Sequence, residues 1–443
     1  MAQDRDELNK RRQAREEQRR KRKKAQRLMR IRLIAAALVL IACGAGIYYM
    51  IGNTDKPAVS VEATLPEVEE TEAPETEAPT ERTANLEQAP VRVKLVAGGD
   101  LNVTDQVVWA GQEGGEFNYT KAFMDVAPIL SEADLSFLNF EGNVCGAPYG
   151  TETVSAPQQL LEALKNAGVD VLQVANSCSI KNGLMGLTAT LSSIRAAGLE
   201  PIGAFSSADE FRKTKGYTIC QVGDVKIALV AFTKGVGSLG LPVGSEDCVN
   251  ILYEDYYTTY QTINKKAIRN ILRAAEAEKP DLTIAMLHWG SEYNEEISKS
   301  QEDVANLMLS EGVDVIFGSH PHLVHQIDYN EEKGTIVAYS LGDFFGDGER
   351  GGTNYSIILD VEITKDYETG VTKVTDYSYV PIYTLAENQC DGLRRVIRLE
   401  NAMSAYELNF VDKVTDSCYE NMQFAMDRIL KRVNAGKEAA ATK

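Results

Sequence analysis

The chain is 443 residues long and carries 64 Asp+Glu against 46 Lys+Arg, a formal net charge of -18. That length supports a sizeable core and up to two domains, and the acidity argues against nucleic acid as a partner of the folded part. The seven cysteines include no Cys-x-x-Cys pair, which excludes a zinc ribbon, and they do not demand disulfides.

The charge is unevenly placed. Residues 1–32 hold 14 Lys+Arg and 5 Asp+Glu, which leaves 32 against 59 for the remainder. Residues 33–51 follow as 19 uncharged, mostly apolar positions, enough to span a bilayer core at about 1.5 Å per residue. The basic arm before them predicts a single-pass signal anchor, with the N-terminus cytoplasmic and the C-terminal domain extracellular. The arm suits anionic lipid headgroups better than nucleic acid. Two other readings of the segment stay open: a cleaved signal peptide, and a lipoprotein processed at Cys43 within Leu40-Ile41-Ala42-Cys43. Residues 53–90 are rich in Glu, Thr, Pro and Ala and poor in large apolar side chains, so they read as a disordered acidic stalk.

A β-branched, alternating run starts at Val91 and is expected to stop at Gly98-Gly99-Asp100. Strand-like runs recur at 134–138, 169–175, 225–232, 282–288, 313–318 and 336–341, with helical patterns at 158–167, 184–197, 257–277 and 302–311. This alternation predicts an α/β domain with much parallel or mixed sheet. Segments 355–363 and 371–380 read as a late hairpin, and 398–434 as helical. The expected division is a folded domain over 91–390 and a helical tail over 391–443.

All four histidines lie between residues 288 and 325, three of them in Gly318-Ser319-His320-Pro321-His322-Leu323-Val324-His325. Imidazole is the commonest protein metal ligand and the usual proton shuttle near neutral pH. Other polar residues fall at predicted strand ends, where open α/β sheets place their sites: Asp100, Asn139, Glu141, Asn176 and Asp343. Such a mixture suits a hard or borderline divalent ion. Asp100, Glu141, His288, His320 and His322 are the candidate ligands, and Asn139, Asn176, Glu292 and Asp343 candidate supporting or substrate-facing residues. Glu292 reads either as a partner that orients His288 or as an ordinary exposed acid. His325 reads as structural.

The motifs Gly99-Asp100, Asn139-Phe140-Glu141, His288-Trp289-Gly290-Ser291-Glu292-Tyr293, Gly318-Ser319-His320-Pro321-His322 and Tyr339-Ser340-Leu341-Gly342-Asp343-Phe344, in this order, resemble the CapA family of bacterial capsule and poly-γ-glutamate synthesis proteins. The resemblance runs from about Val93 to Phe345 and implies a calcineurin-like metallophosphatase sandwich of mixed β-sheets flanked by helices. It also implies a divalent metal (Mn, Fe, Zn or Mg), an anionic cell-envelope polymer as partner, and other capsule-synthesis subunits in the membrane.

One motif departs from that pattern. Where the family has Ala-Asn-Asn-His-x-x-Asp-x-Gly, this chain has Ala175-Asn176-Ser177-Cys178-Ser179-Ile180-Lys181-Asn182-Gly183. Ser177 replaces an expected ligand, Cys178 the expected catalytic histidine, and Lys181 an aspartate. Asp343 stands where the family usually has asparagine. Serine is a weak neutral ligand and a thiol a poor proton donor, so the expectation is retained binding with impaired catalysis. An active metal-dependent hydrolase of phosphoester or polymer amide bonds, and a non-catalytic scaffold, are the competing readings.

Overall fold

The computed structural model describes residues 89–435, apart from 238–239, 409 and 411–413. The expected basic arm, apolar segment and almost all of the stalk lie outside these residues. Among the described residues no helix is long and apolar enough to cross a membrane.

The strands, in chain order, are β1 (Val91–Asn102), β2 (Gln112–Glu113), β3 (Glu116–Phe117), β4 (Leu135–Glu141), β5 (Val171–Gln173), β6 (Glu200–Ile202), β7 (Thr218–Val222), β8 (Val225–Thr233), β9 (Leu282–His288), β10 (Val315–Ser319), β11 (Ile327–Asn330), β12 (Thr335–Ala338), β13 (Asp343–Phe345), β14 (Tyr355–Asp366), β15 (Val371–Leu385) and β16 (Arg395–Arg398). Two mixed sheets result. The first runs β16-β15-β14-β1-β4-β5-β6 with β13 also on β1, and the second runs β11-β12-β10-β9-β8-β7. The inner strands β1, β4, β5 and β6 are parallel, as are β8, β9, β10 and β12. Strands covered on both faces bury the side chains of both faces rather than alternating between core and solvent. Accordingly every residue of β4 and of β9 is buried. The sheets face one another across the core, with Phe137 of β4 and Phe317 of β10 at a centroid distance of 5.4 Å.

Helices flank the sheets. Lys265–Glu276 buries Ile268, Ile271, Leu272 and Ala275, the one-sided stripe of a helix lying on a sheet. Burying each of the Ile and Leu side chains stabilises by about 1.5–3 kcal/mol. This helix is shorter than the expected 257–277. The Asp255 carboxylate accepts from the backbone N–H groups of Gln261 and Thr262, and that local turn competes with helix until Asn264 caps the new start. The helix expected from 302 instead starts at Lys299, where Ser298 and Gln301 form a capping box.

Two further differences bear on the site. β1 does not stop at Gly98-Gly99 but bulges there: its register with β4 shifts between Ala97 and Asp100, and pairing resumes as Asp100 with Asn139 and Asn102 with Glu141. A bulge re-aims the residues that follow it. Gly99 is required because a Cβ there would lie 1.8 Å from the Gly342 carbonyl oxygen. Secondly, the strand expected over 336–341 ends at Ala338. β12 belongs to the second sheet, and the chain then crosses to the first, where β13 pairs Asp343 with Asp100.

The tail expected from residue 391 begins with a strand, since β16 extends the first sheet. Two helices follow, Leu399–Glu407 and Asp416–Val433. The second buries Cys418, Met422, Ala425, Ile429 and Val433 in the main core. The tail is thus an integral part of the fold.

Candidate metal centre

The parallel strands of both sheets end on one side of the sandwich, and the polar residues at those ends converge. Among the described residues, three groups offer ligand atoms within 4.8 Å of one another: Glu141, His288 and His320; Asp100, His322 and Asp343; and Glu292, His320 and His322. All are buried except Glu292, which is exposed.

Glu141 stands between the first two groups. Its Oε1 is 2.5 Å from His288 Nε2, and its Oε2 is 3.8 Å from His322 Nε2. Burial works to raise this carboxyl, but the imidazoles of His288, His322 and His320 outweigh it and hold it below the usual range. His288 is oriented from its other side by Thr233, whose Oγ1 lies 3.0 Å from Nδ1. That hydroxyl donates to the Gly235 carbonyl at 2.7 Å, so it accepts from the His288 Nδ1–H, and the ring is turned with Nε2 toward Glu141. Thr233 can do this because β8 pairs it in register with His288. Of the two readings left open for Glu292, the structure shows the exposed acid, and the hydrogen bonds of His288 go to Thr233 and Glu141.

The two other histidines share the turn after β10. Both have left-handed backbones, with φ of 92° at His320 and 59° at His322, a conformation costing on the order of 1–3 kcal/mol per residue. The cost is offset in part by the His320 N–H, which donates to Asp100 Oδ2 at 3.0 Å. The turn places His320 in the group with His288 and His322 in the group with Asp100 and Asp343. His322 Nδ1 is 2.8 Å from Asp343 Oδ1 and 3.4 Å from Asn102 Nδ2. Burial would lower this imidazole, but Asp343, Glu141 and Asp100 together raise it well above its ordinary value. His320 moves the other way: burial, reinforced by His288, holds it well below.

Asp100 is fully buried and is pushed up to about 8 by that burial, against the pull of His322. Behind it runs a chain of amides. Asn139 Nδ2 donates to Asp100 Oδ1 at 2.6 Å, and Asn176 Nδ2 donates to Asn139 Oδ1 at 3.0 Å. Asn176 also accepts from the Cys178 N–H at 3.0 Å. These two asparagines are positioning residues that carry the turn after β5.

That turn holds the departures. Ser177 Oγ donates to Glu141 Oε1 at 2.9 Å. Cys178 is partly exposed beside it, with Sγ 3.9 Å from Ser177 Oγ, and belongs to none of the three ligand groups. Burial of the sulfur and the Glu141 carboxylate push its thiol up, so it stays protonated. Lys181 is exposed. His325 is buried, with Nε2 2.8 Å from the Asn294 carbonyl oxygen.

The residues present fit a divalent cation. Three buried carboxylates, Asp100, Glu141 and Asp343, crowd one site and lack an arginine or lysine ion pair among the described residues. His320 Nδ1 is buried there with no hydrogen-bond partner, and such an orphaned atom calls for an explanation such as an ion or water. Thr233 orients the His288 ring from its Nδ1 side, as outer partners do for metal-binding imidazoles. Bound metal would polarise a phosphoryl or carbonyl oxygen and lower the pKa of a coordinated water.

Asn102, Thr233 and Tyr293 were not expected in the site. Asn102 has a sequence signal, two residues beyond Asp100 on the same strand face. Thr233 depends on the β8–β9 register. Tyr293 stacks on His322 at 5.4 Å, a contact its place in the His288–Tyr293 motif does not disclose.

Fold and centre together define a two-sheet α/β protein with a buried histidine–carboxylate site at its strand ends. The chain belongs to the family described as the bacterial capsule synthesis protein PGA_cap, which matches residues 94–347, more than half of its length. It is 27% identical over 234 residues to the capsule biosynthesis protein CapA of Bacillus anthracis, a match covering 51% of this chain and 53% of that one. It is 28% identical over 263 residues to the PGA biosynthesis protein CapA of Bacillus subtilis (strain 168), covering 57% and 63%. The match thus spans less than two thirds of either relative. Among solved structures, a phosphatase from Mycoplasma pneumoniae superposes with a TM-score of 0.42 at 17% identity, over 67% of this chain and 95% of that one. A sulfate thiohydrolase from Thermus thermophilus gives 0.35 at 12% identity, over 78% and 61%.

Proposed function

We propose that this is a membrane-anchored, extracellular protein of capsule or cell-envelope polymer biosynthesis, which binds a divalent metal and an anionic, poly-γ-glutamate-type polymer with hydrolysis weakened or lost. The family supports the process, and the charge split around residues 33–51 supports the anchoring. The single observation that carries the binding reading is the turn after β5. Asn176 keeps its scaffold bonds, while Ser177 is spent on Glu141 and position 178 offers a protonated thiol in place of an imidazole. General acid catalysis typically contributes 10²–10⁴-fold, so its loss leaves a binder or a slow enzyme. Manganese, iron, zinc and magnesium are the candidate ions, and other capsule-synthesis subunits the candidate membrane partners.

One observation favours a second reading, an active metal-dependent hydrolase. Asp343 joins Asp100 and His322, so ligand-capable groups stand on both sides of Glu141 despite the change at Ser177. The purified full chain separates the two. Metal analysis, poly-γ-glutamate binding and turnover of a phosphodiester are measured on the same preparation. Binding with turnover at least a hundredfold below that of a relative with histidine in the turn supports the proposal, and equal turnover refutes it.

A further inference from the structure

Two clefts meet at the centre. One, of about 280 Å³, is lined by Ser177, Lys234, Tyr260, His288, Glu292 and His320. The other, of about 410 Å³, is lined by Glu141, Cys178, Tyr293, His322, Asp343 and Arg350 among others. Ser177 and Glu292 line both, so the clefts are two arms of one groove across the histidine–carboxylate centre.

Each arm holds one cation fixed against an aromatic ring. In the first, the Lys234 backbone N–H donates to the His288 carbonyl at 2.8 Å, which ties the residue to β9. Its Nζ donates to the Gly290 carbonyl at 2.6 Å and lies 4.6 Å from the Tyr260 ring centroid. These two contacts leave donor capacity on an ammonium that carries three N–H bonds. In the second arm the Arg350 guanidinium lies 4.3 Å from the Tyr293 centroid, and Tyr293 stacks on His322. Among the described residues neither cation forms an ion pair with a carboxylate. The carboxylate acting most on Lys234 is Glu292, and the two are not in salt-bridge contact. The same groove is also lined by the carboxylates of Glu141, Glu292, Asp343 and Asp347, so the two cations are the positive points in an acidic lining.

We propose that Lys234 and Arg350 are two anion subsites that hold successive negative groups of one linear polyanion, drawing the chain through the groove over the metal centre. The proposal rests on the polymer-binding reading above and adds the residues and the path. A guanidinium pairs bidentately with a carboxylate. The rings hold each cation in place, which reduces the freedom lost on binding. Joining two weak subsites through one ligand raises the local concentration at the second. A polymer with a carboxylate on every residue offers groups to both arms, and on this proposal a dipeptide engages them less well.

The test is a titration of the full-length chain, wild type and the Lys234→Met and Arg350→Met variants, with γ-linked glutamate of two and of about ten residues, and with sodium polyphosphate. Metal content is measured on each preparation, and Lys234→Arg and Arg350→Lys serve as charge-preserving controls. Each methionine variant is expected to weaken the ten-residue ligand about tenfold or more. The double variant should bind it no better than the dipeptide, metal content should be unchanged, and the controls should recover most of the loss. If wild type binds the ten-residue ligand and the methionine variants bind it equally well, the subsites are overturned while the polymer reading stands. If wild type binds polyphosphate but not γ-glutamate, and the variants weaken that, the subsites stand and the choice of polymer falls. If wild type binds neither, both fail.

Discussion

The turn after β10 and the turn after β5 close the same site from opposite sheets, and they have been treated differently. After β10 the backbone is strained and the chemistry is complete: His320 and His322 accept left-handed conformations, and each joins a ligand group. After β5 the backbone is supported and the chemistry is thinned: Asn176 is bonded to Asn139, Phe140 and Cys178, yet the side chains it delivers are a hydroxyl and a protonated thiol. Strain persists where something repays it. Under the proposed function, the contrast separates holding a ligand, for which the β10 turn offers two imidazoles, from transferring a proton, for which the β5 turn offers none.

The largest effect should come from Glu141, which stands between the two buried groups. Glu141→Gln keeps the shape but removes the charge that His288, His322 and Ser177 address, and manganese affinity should fall by well over the 10–100-fold that supporting residues cost. Calorimetric titration checks this; loss confined to one of two bound ions would show that the groups act independently. Thr233→Val removes the acceptor for His288 Nδ1 together with the hydroxyl's bonds to the Gly235 backbone. It should weaken manganese binding about 10–100-fold on the His288 side, whereas an unchanged affinity would mean that packing alone orients the imidazole.

The smallest effect is graded with pH. Asp100 is pushed up to about 8, so the metal-free fold holds its proton more tightly than the unfolded chain, whose aspartate titrates near 3.8. That contribution is present at low pH and is lost as pH rises from about 4 through 8. His322, also raised, acts in the same direction: its share is full below 6.5 and lost as pH rises through its higher folded value. Metal competes with both protons. The gain in thermal midpoint on adding manganese should therefore widen between about pH 6 and about pH 8, as differential scanning calorimetry would show. A gain that narrows contradicts this picture of the Asp100–His322 side.

Much of this was readable in the chain. The strand–helix alternation fixes the α/β class, and Asp100, Glu141, His288, His320 and His322 stand at ends that the folded sheets bring together. What was hidden depends on long-range pairing. Gly98-Gly99 has the local character of a strand end, and only the partners β4 and β13 turn it into a bulge. Asp343 enters a ligand group because the chain changes sheets at Gly342. Thr233 and Lys234 follow from the β8–β9 register, to which no local pattern points. The helix expected from 257 failed because side-chain bonds from Asp255 outcompete helical ones at 261 and 262.

The central claim is that the β5 turn has lost proton transfer while the rest of the site retains its ligands. Its most direct test is the Ser177→Asn, Cys178→His double variant, assayed for manganese-dependent phosphodiester hydrolysis beside the native chain. The account predicts a rise in turnover of about 10²–10⁴-fold with polymer binding preserved. Turnover that stays at the native level in a folded, metal-loaded double variant would contradict it.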